Sequence, residues 1–595
     1  MKTTWKRVIG MILSAALLLG STGAAALAQS GDFTVIDGAV PIVITSADLE
    51  PAAQKLAYYI GRVCGAQPPV VDSPRENAVV LSVDPARADG YVIAEQNGSV
   101  TIAGASLAQT VHGVYAFLER YAGVHCYTSQ LICYSCDRIL VPRGERYEYT
   151  PVFECTDTDW LSPRDTEYSL FNGLNCTQYR EVPAELGGGV AYISSFGHSL
   201  TNQFCDSDKY YESHPEYFAL YHGIRTRSQL CLTNPEVYEI VKREVFDLLE
   251  KKHDPTAPLQ IVSLSQADNI FFCTCENCRK VDKQYGSHMG SLLAFVNGIA
   301  REVKAAGYDN VAIDTFAYRY TRTPPKDLVP EENVIIRLCS IECCFSHPFD
   351  DETCKTNKEF MKDLAGWSKI CDRLYIWDYC TNYCAFVGLF PDFGVLQRNM
   401  QIFAENNVKG VYEEGNYTMT RDTEFGELRA YLIARLMTDP YMDFQKERDA
   451  FLSAYYGAGG EHIGEFLDLI TESAGQKHLG IYEFQSNTLS LSKKQIAICD
   501  ELWQKALAET EGDERVHMAD SQLSWRYWKM KNRAGEFSNP FNYKAEQTKL
   551  TDELNASGVR WFEVGETRSF FVSIFQYLYF KAYPLVNAVL KLLYA

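Results

Sequence analysis

Several carboxyl side chains stand just beyond stretches that read as β-strands. Asp268 lies in Ser263-Leu264-Ser265-Gln266-Ala267-Asp268-Asn269, and Glu342 in Cys339-Ser340-Ile341-Glu342-Cys343-Cys344. Asp378 lies in Tyr375-Ile376-Trp377-Asp378-Tyr379, and Glu413 and Glu414 in Val411-Tyr412-Glu413-Glu414-Gly415-Asn416-Tyr417. His198 follows Ser194-Ser195-Phe196-Gly197, and Tyr318 closes another such run. Cleavage of a glycosidic bond needs two carboxyls, one as acid and one as nucleophile or base. Apolar and aromatic neighbours raise the acid's pKa and offer a stacking face to sugar rings. Asp268 and Glu413 are therefore predicted as the acid and its partner, with Glu342 as a third catalytic candidate. His198, Tyr318, Trp377, Asp378, Glu414 and Asn416 are predicted to hold the sugar. Any one of these acids could instead cap a helix or pair with an arginine. It is their joint position after successive strands that points to chemistry.

The other reactive groups argue less. Cys273-Thr274-Cys275-Glu276-Asn277-Cys278 is a compact thiol cluster. A zinc site needs a fourth ligand at matching spacing. No second CxxC follows, and His288 is the only nearby histidine, so a loop bridge or buried thiols without metal is the expectation. Cys343-Cys344 reads as packing. His198, His214 and His347 read as packing or substrate-bonding groups, because no two lie at i, i+4 on one helix. The chain has no GxSxG elbow, P-loop, HExxH or GxGxxG, so no cofactor is expected.

These acids need a scaffold that brings strand ends together. Between 150 and 440, strand-like runs alternate with helical ones: Pro151 to Cys155, Asn175 to Tyr179, Val190 to Phe196, Gln260 to Leu264, Val311 to Phe316, Val334 to Cys339, Leu374 to Trp377 and Gly410 to Tyr412. Helices are predicted at 235–251, 291–306, 357–368 and 393–406. Eight strands over this length predict a (β/α)8 TIM-type barrel, whose active site lies at the C-terminal strand ends. A doubly wound sheet is the alternative, since alternation alone does not decide closure. Residues 31–145 read as a small α/β domain with helices at 50–64 and 108–121. Residues 441–595 read as an α-helical C-terminal domain, with segments at 443–457, 460–476, 492–509, 513–534, 544–556 and 568–594.

Composition narrows the class. The 595 residues are 46% apolar and 22% charged, which is ordinary for a globular protein. The net charge of −20 leaves little for a nucleic-acid backbone, so no nucleic-acid partner is expected. Residues 1–28 read as a signal peptide. Lys2, Lys6 and Arg7 precede a short apolar run, and Ala26-Leu27-Ala28 fits a cleavage site after Ala28. The removed segment carries +3, so the mature charge is −20 − 3 = −23. A secreted protein without a membrane span is expected. Its 19 cysteines, none in the signal, predict a mixture of buried thiols and bridges.

The chain resembles the bacterial domain of unknown function 4838 family, which includes endo-β-N-acetylglucosaminidases of glycoside hydrolase family 163. The resemblance rests on His198, His214-Pro215-Glu216-Tyr217-Phe218, Leu230-Cys231-Leu232-Thr233-Asn234-Pro235, Ser265-Gln266-Ala267-Asp268-Asn269, Ile341-Glu342-Cys343-Cys344-Phe345, Trp377-Asp378-Tyr379 and Glu413-Glu414-Gly415-Asn416. His112-Gly113-Val114-Tyr115-Ala116-Phe117-Leu118-Glu119 is similar to the small α/β domain that precedes the barrel in β-hexosaminidases and α-glucuronidases. The resemblance implies a secreted glycosidase with a glycan substrate, cutting at a β-linked N-acetylglucosamine. Relatives with an α-glucuronidase-like layout place the acid after the fourth strand, where Asp268 stands, and further carboxylates after later strands. A carbohydrate-binding protein on an inactive barrel is the rival. Substituting Glu413 would then change affinity with no turnover to lose.

Overall fold

The structure, a computed structural model, describes residues 32–416 and 424–559. The expected signal peptide, the helix at 568–594 and Tyr417 lie outside the described residues. The chain forms two compact units: one holds the residues up to His125 together with Tyr134–Thr150, the other Cys126–Cys133 and everything from Pro151.

The smaller unit is a mixed six-stranded sheet with two helices. Its strands run in the order Arg146–Tyr149, Tyr91–Gln96, Ser99–Gly104, Val79–Val83, Ile42–Ile44 and Val70–Val71. The helix Glu50–Cys64 ends at Gly65 with φ 80°, a left-handed cap that glycine adopts without strain. The helix Leu107–Ala122 is capped by the Ser106 side chain. It rests directly on the sheet because Gly113 has no side chain. A Cβ there would stand 2.7 Å from Ile102 Cγ2.

The larger unit is built on a parallel barrel sheet. Seven strands run in the order Cys155–Thr158, Val408–Glu414, Leu374–Tyr379, Val334–Cys339, Val311–Ala317, Leu259–Ser263 and Val190–Tyr192. The gap between first and last is filled by residues 175–177. Cys176 forms a single parallel bridge to Val190, and the Cys176 N–H donates to Thr156 O at 3.3 Å. The expected second strand is thus reduced to a bridge. The Asn175 side chain is the reason. Its Oδ1 accepts from Thr156 N–H at 3.0 Å and its Nδ2 donates to Glu154 O at 2.8 Å, replacing ladder bonds. The first strand starts at Cys155, where the predicted one ends. Its polar run Cys155-Thr156-Asp157-Thr158 hides a strand because Asp157 is neutralised inside the protein by Arg180 at 2.7 Å.

The interior packs in layers. The lower one joins Cys155, Cys176, Val190, Leu259, Ile261, Ala312, Ile335 and Tyr375. Above it, Arg337 pairs with Asp314 at 2.5 Å, both buried. The guanidinium lies over Phe196 at 4.3 Å, Phe316 at 4.8 Å, Tyr192 at 4.9 Å and Trp377 at 5.1 Å. Side chains alternate across a strand. Tyr375, Trp377 and Tyr412 therefore point inward, and Asp378 and Glu413 toward the surrounding layer.

Helices Pro235–Lys252, Met289–Ala305, Lys355–Trp367 and Leu396–Glu405 surround the barrel. After Gly426–Thr438 come Phe444–Tyr456, Gly460–Ala474, Lys493–Ala508, Gly512–Asn532 and Tyr543–Ala556. They belong to the same compact unit as the barrel. Residues 475–485 lie along the barrel loops: Phe345 N–H donates to Leu479 O at 2.7 Å and Tyr383 N–H to Ile481 O at 2.8 Å. Among the described residues no helix is long and apolar enough to cross a membrane. All 19 cysteines are described and free, so the expected bridges are not formed.

Candidate active site

The C-terminal strand ends hold a set of carboxyls in contrasting surroundings. Glu414 ends its strand on the inward face, next to Tyr412. The Trp377 indole N–H donates to its Oε2 at 2.6 Å. Burial first, then the charge of Asp159, pushes the Glu414 carboxyl up to about 8. Asp159 lies one residue past the first strand, buried, and accepts from Gly415 N–H at 2.7 Å. Burial raises it to about 6. Asp268 is different, with a side chain 57% exposed. The Tyr318 hydroxyl donates to its Oδ1 at 2.8 Å, and Arg319 reaches it at 3.2 Å. Arg319 holds φ 53°, a left-handed conformation unusual for a residue with a side chain. Its guanidinium lies over the Tyr318 ring at 5.0 Å.

Aromatic rings surround these groups. Trp377 packs edge-on to Tyr412 at 4.8 Å, Tyr412 lies parallel to Tyr179 at 5.9 Å, and Phe196 meets both Tyr412 and Trp377. His198 adopts φ 54°. Its Nδ1 lies 2.7 Å from Gln266 O, so Nδ1 donates and Nε2 is left as an acceptor in the neutral ring. Burial lowers the His198 pKa, which favours that neutral form. Tyr482, from the segment after the helix Gly460–Ala474, packs on Tyr383 at 5.4 Å. It lies near enough to feel the charges of Asp268, Arg319 and Glu414.

The residues singled out from the sequence are thus not all at one place. Asp268, His198, Tyr318, Trp377 and Glu414 come together at the mouth. Glu413 and Asp378 face the other way, between strands and helices, and are buried. Burial and then the Asp378 charge push the Glu413 carboxyl well up, and burial raises Asp378 to about 7. Ser340 donates to Asp378. Glu342 accepts from Arg322 at 2.9 Å, and Arg322 is also held by Asp363 at 2.8 Å. Glu342 is therefore engaged in an ion-pair network. Asn416 is fully buried beside the mouth.

The sequence model of one family, described as a domain of unknown function (DUF4838), matches residues 126–468. The chain belongs to this family. No curated protein matches it in sequence. Among solved structures, one similar fold is a family GH115 4-O-methyl-α-glucuronidase with specificity for decorated arabinogalactans. Identity is 10% with a TM-score of 0.54, over 89% of this chain and 78% of that one. A family 89 glycoside hydrolase from Clostridium perfringens follows at 11% identity and TM-score 0.47, over 85% of this chain and 65% of that one. A GH20 β-N-acetylhexosaminidase from Streptomyces coelicolor A3(2) stands at 13% and 0.43, over 71% and 92%. At such identities the first likeness establishes the fold.

Within this DUF4838 chain, the mouth residues Asp159 and Tyr482 carry no prediction from the sequence, and Glu414 carries only that of a sugar-holding residue. Asp159 was hidden because the first strand begins at Cys155; the residue just past that strand is where a search would have found it. Glu414 stood one position from the acid that was chosen, and a one-residue change flips the face. Tyr482 comes from beyond the barrel, and no spacing signal in the sequence joins it to the strand ends.

Proposed function

We propose that the protein is a glycoside hydrolase, with Glu414 as the proton donor and Asp268 as its carboxylate partner. The observation that carries this is the contrast between two carboxyls at one mouth. Glu414 packs against Trp377 and Tyr383, partly buried, and desolvation pushes it up to about 8, so it holds its proton at neutral pH. Asp268 is half in solvent and accepts from Tyr318 and Arg319. A carboxyl that its surroundings keep protonated, with a second carboxyl at the same mouth, is the arrangement acid catalysis of glycoside cleavage requires. Glu414 protonates the leaving glycosidic oxygen. Asp268 faces the positive charge that develops at the anomeric carbon, or attacks that carbon. Asp159 repels the deprotonated form of Glu414 and so favours its reprotonation after each turnover. Tyr179, Trp377 and Tyr482, which are only partly buried, supply ring faces for sugars.

The glycan is expected to present a β-linked N-acetylglucosamine at the bond cut, a reading supported by the motif resemblance to endo-β-N-acetylglucosaminidases. Export through the N-terminal signal would place the enzyme where such glycans occur. The test is product analysis by mass spectrometry after incubating the mature protein with N-glycoproteins, mucin glycans, chitooligosaccharides and glucuronoxylan fragments. A released glycan that is absent with Asp268→Asn and with Glu414→Gln supports the assignment. Glycan binding without any released product would overturn it in favour of a carbohydrate-binding barrel.

A further inference from the structure

Four thiols that are far apart in sequence meet on one side of the barrel mouth. Cys231 ends the hairpin made by Phe218–Tyr221 and Ile224–Leu230. Cys273 and Cys275 lie in the loop that carries Asp268, and Cys278 sits in the first turn of the helix Glu276–Tyr285. All four sulfurs lie within 4.8 Å of one another. Cys231 Sγ is 3.7 Å from Cys275 Sγ and 3.9 Å from Cys278 Sγ. A disulfide would need about 2.05 Å. A tetrahedron with zinc–sulfur bonds of about 2.3 Å has edges of about 3.8 Å. The observed spacing is that of a tetrathiolate shell.

The surroundings suit thiolates. Leu220 N–H donates to Cys273 Sγ at 3.3 Å and Cys278 N–H to Cys275 Sγ at 3.5 Å. Thr233 Oγ1 lies 3.1 Å from Cys278 Sγ. Cys275 caps the helix, whose positive N-terminal end favours negative sulfur. Three of the four cysteines are buried. Buried thiolates without a cation would repel one another, and a divalent ion offsets that charge.

A second set has different chemistry and its own support. Cys344, His347, Cys354 and His478 also place their ligand atoms within 4.8 Å of one another. His347 Nε2 bonds Gly475 O at 3.0 Å, while its Nδ1 lies 3.2 Å from Cys344 Sγ. A ring fixed by a backbone carbonyl through one nitrogen while the other faces the ligand set is the outer bonding that metal-bound histidines carry. His478 Nδ1 lies 3.5 Å from Cys354 Sγ, and Leu479 N–H donates to Cys344 Sγ at 3.3 Å.

We propose that Cys231, Cys273, Cys275 and Cys278 bind one structural zinc ion and that Cys344, His347, Cys354 and His478 bind a second. Each shell has four protein ligands and no position left for substrate, which marks structural sites. The first clips the hairpin to the Asp268 loop, where Gln229 Nε2 already donates to Ala267 O at 2.8 Å. The second ties the loop beyond Glu342 to the segment that carries Tyr482.

The test is elemental analysis of the purified mature protein, without a histidine tag and after extensive dialysis against metal-free buffer. Two zinc per chain are expected, with one lost in Cys278→Ser and the other in Cys354→Ser. If either variant fails to fold, the wild-type protein is titrated with an organomercurial thiol reagent in the presence of a chromophoric zinc chelator. Release of two zinc in step with thiol modification is then expected. One zinc that survives Cys354→Ser and disappears in Cys278→Ser overturns the second site alone, and the reverse overturns the first. No zinc, with the cysteines free or paired in non-reducing peptide mapping, overturns both. Iron in place of zinc overturns the choice of metal.

Discussion

Replacing Glu414 by Gln should silence the enzyme and stabilise it. The amide keeps the shape and can still accept from Trp377, but it has no proton to lose. In the unfolded chain Glu414 titrates near 4.5, and in the fold burial and Asp159 carry it to about 8. The fold therefore binds this proton more tightly than the unfolded chain does. Its stabilising contribution is complete below about 4.5 and is lost as pH rises toward 8, where it levels off. The gap, 8 − 4.5 = 3.5 pH units, corresponds to about 5 kcal/mol at its limit and about 3 kcal/mol at pH 7. Wild type should pay this and Glu414→Gln should not. Urea unfolding of both proteins at half-unit steps from pH 5 to 9 measures the difference. Glu414→Gln should gain on wild type by about 1.4 kcal/mol per pH unit up to pH 8 and by no more above it. A difference that stays constant with pH would refute the reasoning, because Glu414 would then titrate alike in both states.

Other outcomes follow from the same geometry. Turnover should fall on an alkaline limb with an apparent pKa near 8, as Glu414 loses its proton, and Glu414→Gln should lower kcat by about 10²–10⁴-fold. Asp268→Asn should cut kcat comparably yet shift unfolding by less than about 1 kcal/mol, since that side chain is more than half exposed. Glu413→Gln, on the outward face, should leave kcat/KM within about threefold of wild type, roughly 0.6 kcal/mol in barrier; a loss like that of Glu414→Gln would mean that the two residues exchange faces. Gly415→Ala would bring a Cβ to 2.4 Å from the Trp160 indole and should cost about 1–3 kcal/mol in denaturant unfolding.

Periodicity made the architecture readable because burial imposes it. Val311–Ala317 and Val334–Cys339 are apolar enough to stand out, and the helices Pro235–Lys252 and Glu50–Cys64 carry apolar residues at helical spacing and end signals at their boundaries. Polar interiors were harder. Cys155–Thr158 is a strand whose Asp157 needs Arg180, a partner 23 residues away that no local pattern announces. The site suffered from a finer problem. Glu413 and Glu414 are chemically alike, and only the register against Trp377 and Tyr412 says which one faces inward. Cys231 likewise joins the Cys273 cluster from 42 residues upstream, through a hairpin whose return is invisible to a spacing rule.

The segment at 475–485 sets a practical limit on dissecting this protein. It is fastened to two barrel loops by main-chain hydrogen bonds and delivers Tyr482 to the mouth. The stretch matched by the family ends at residue 468, short of that tyrosine. A fragment cut at the family boundary would keep every barrel strand and both carboxyls yet lack one wall of the cleft and His478. Such a truncation would expose to water the part of Tyr383 that Tyr482 covers. Swapping that short segment between relatives, rather than the barrel, is the economical way to exchange what the cleft accepts.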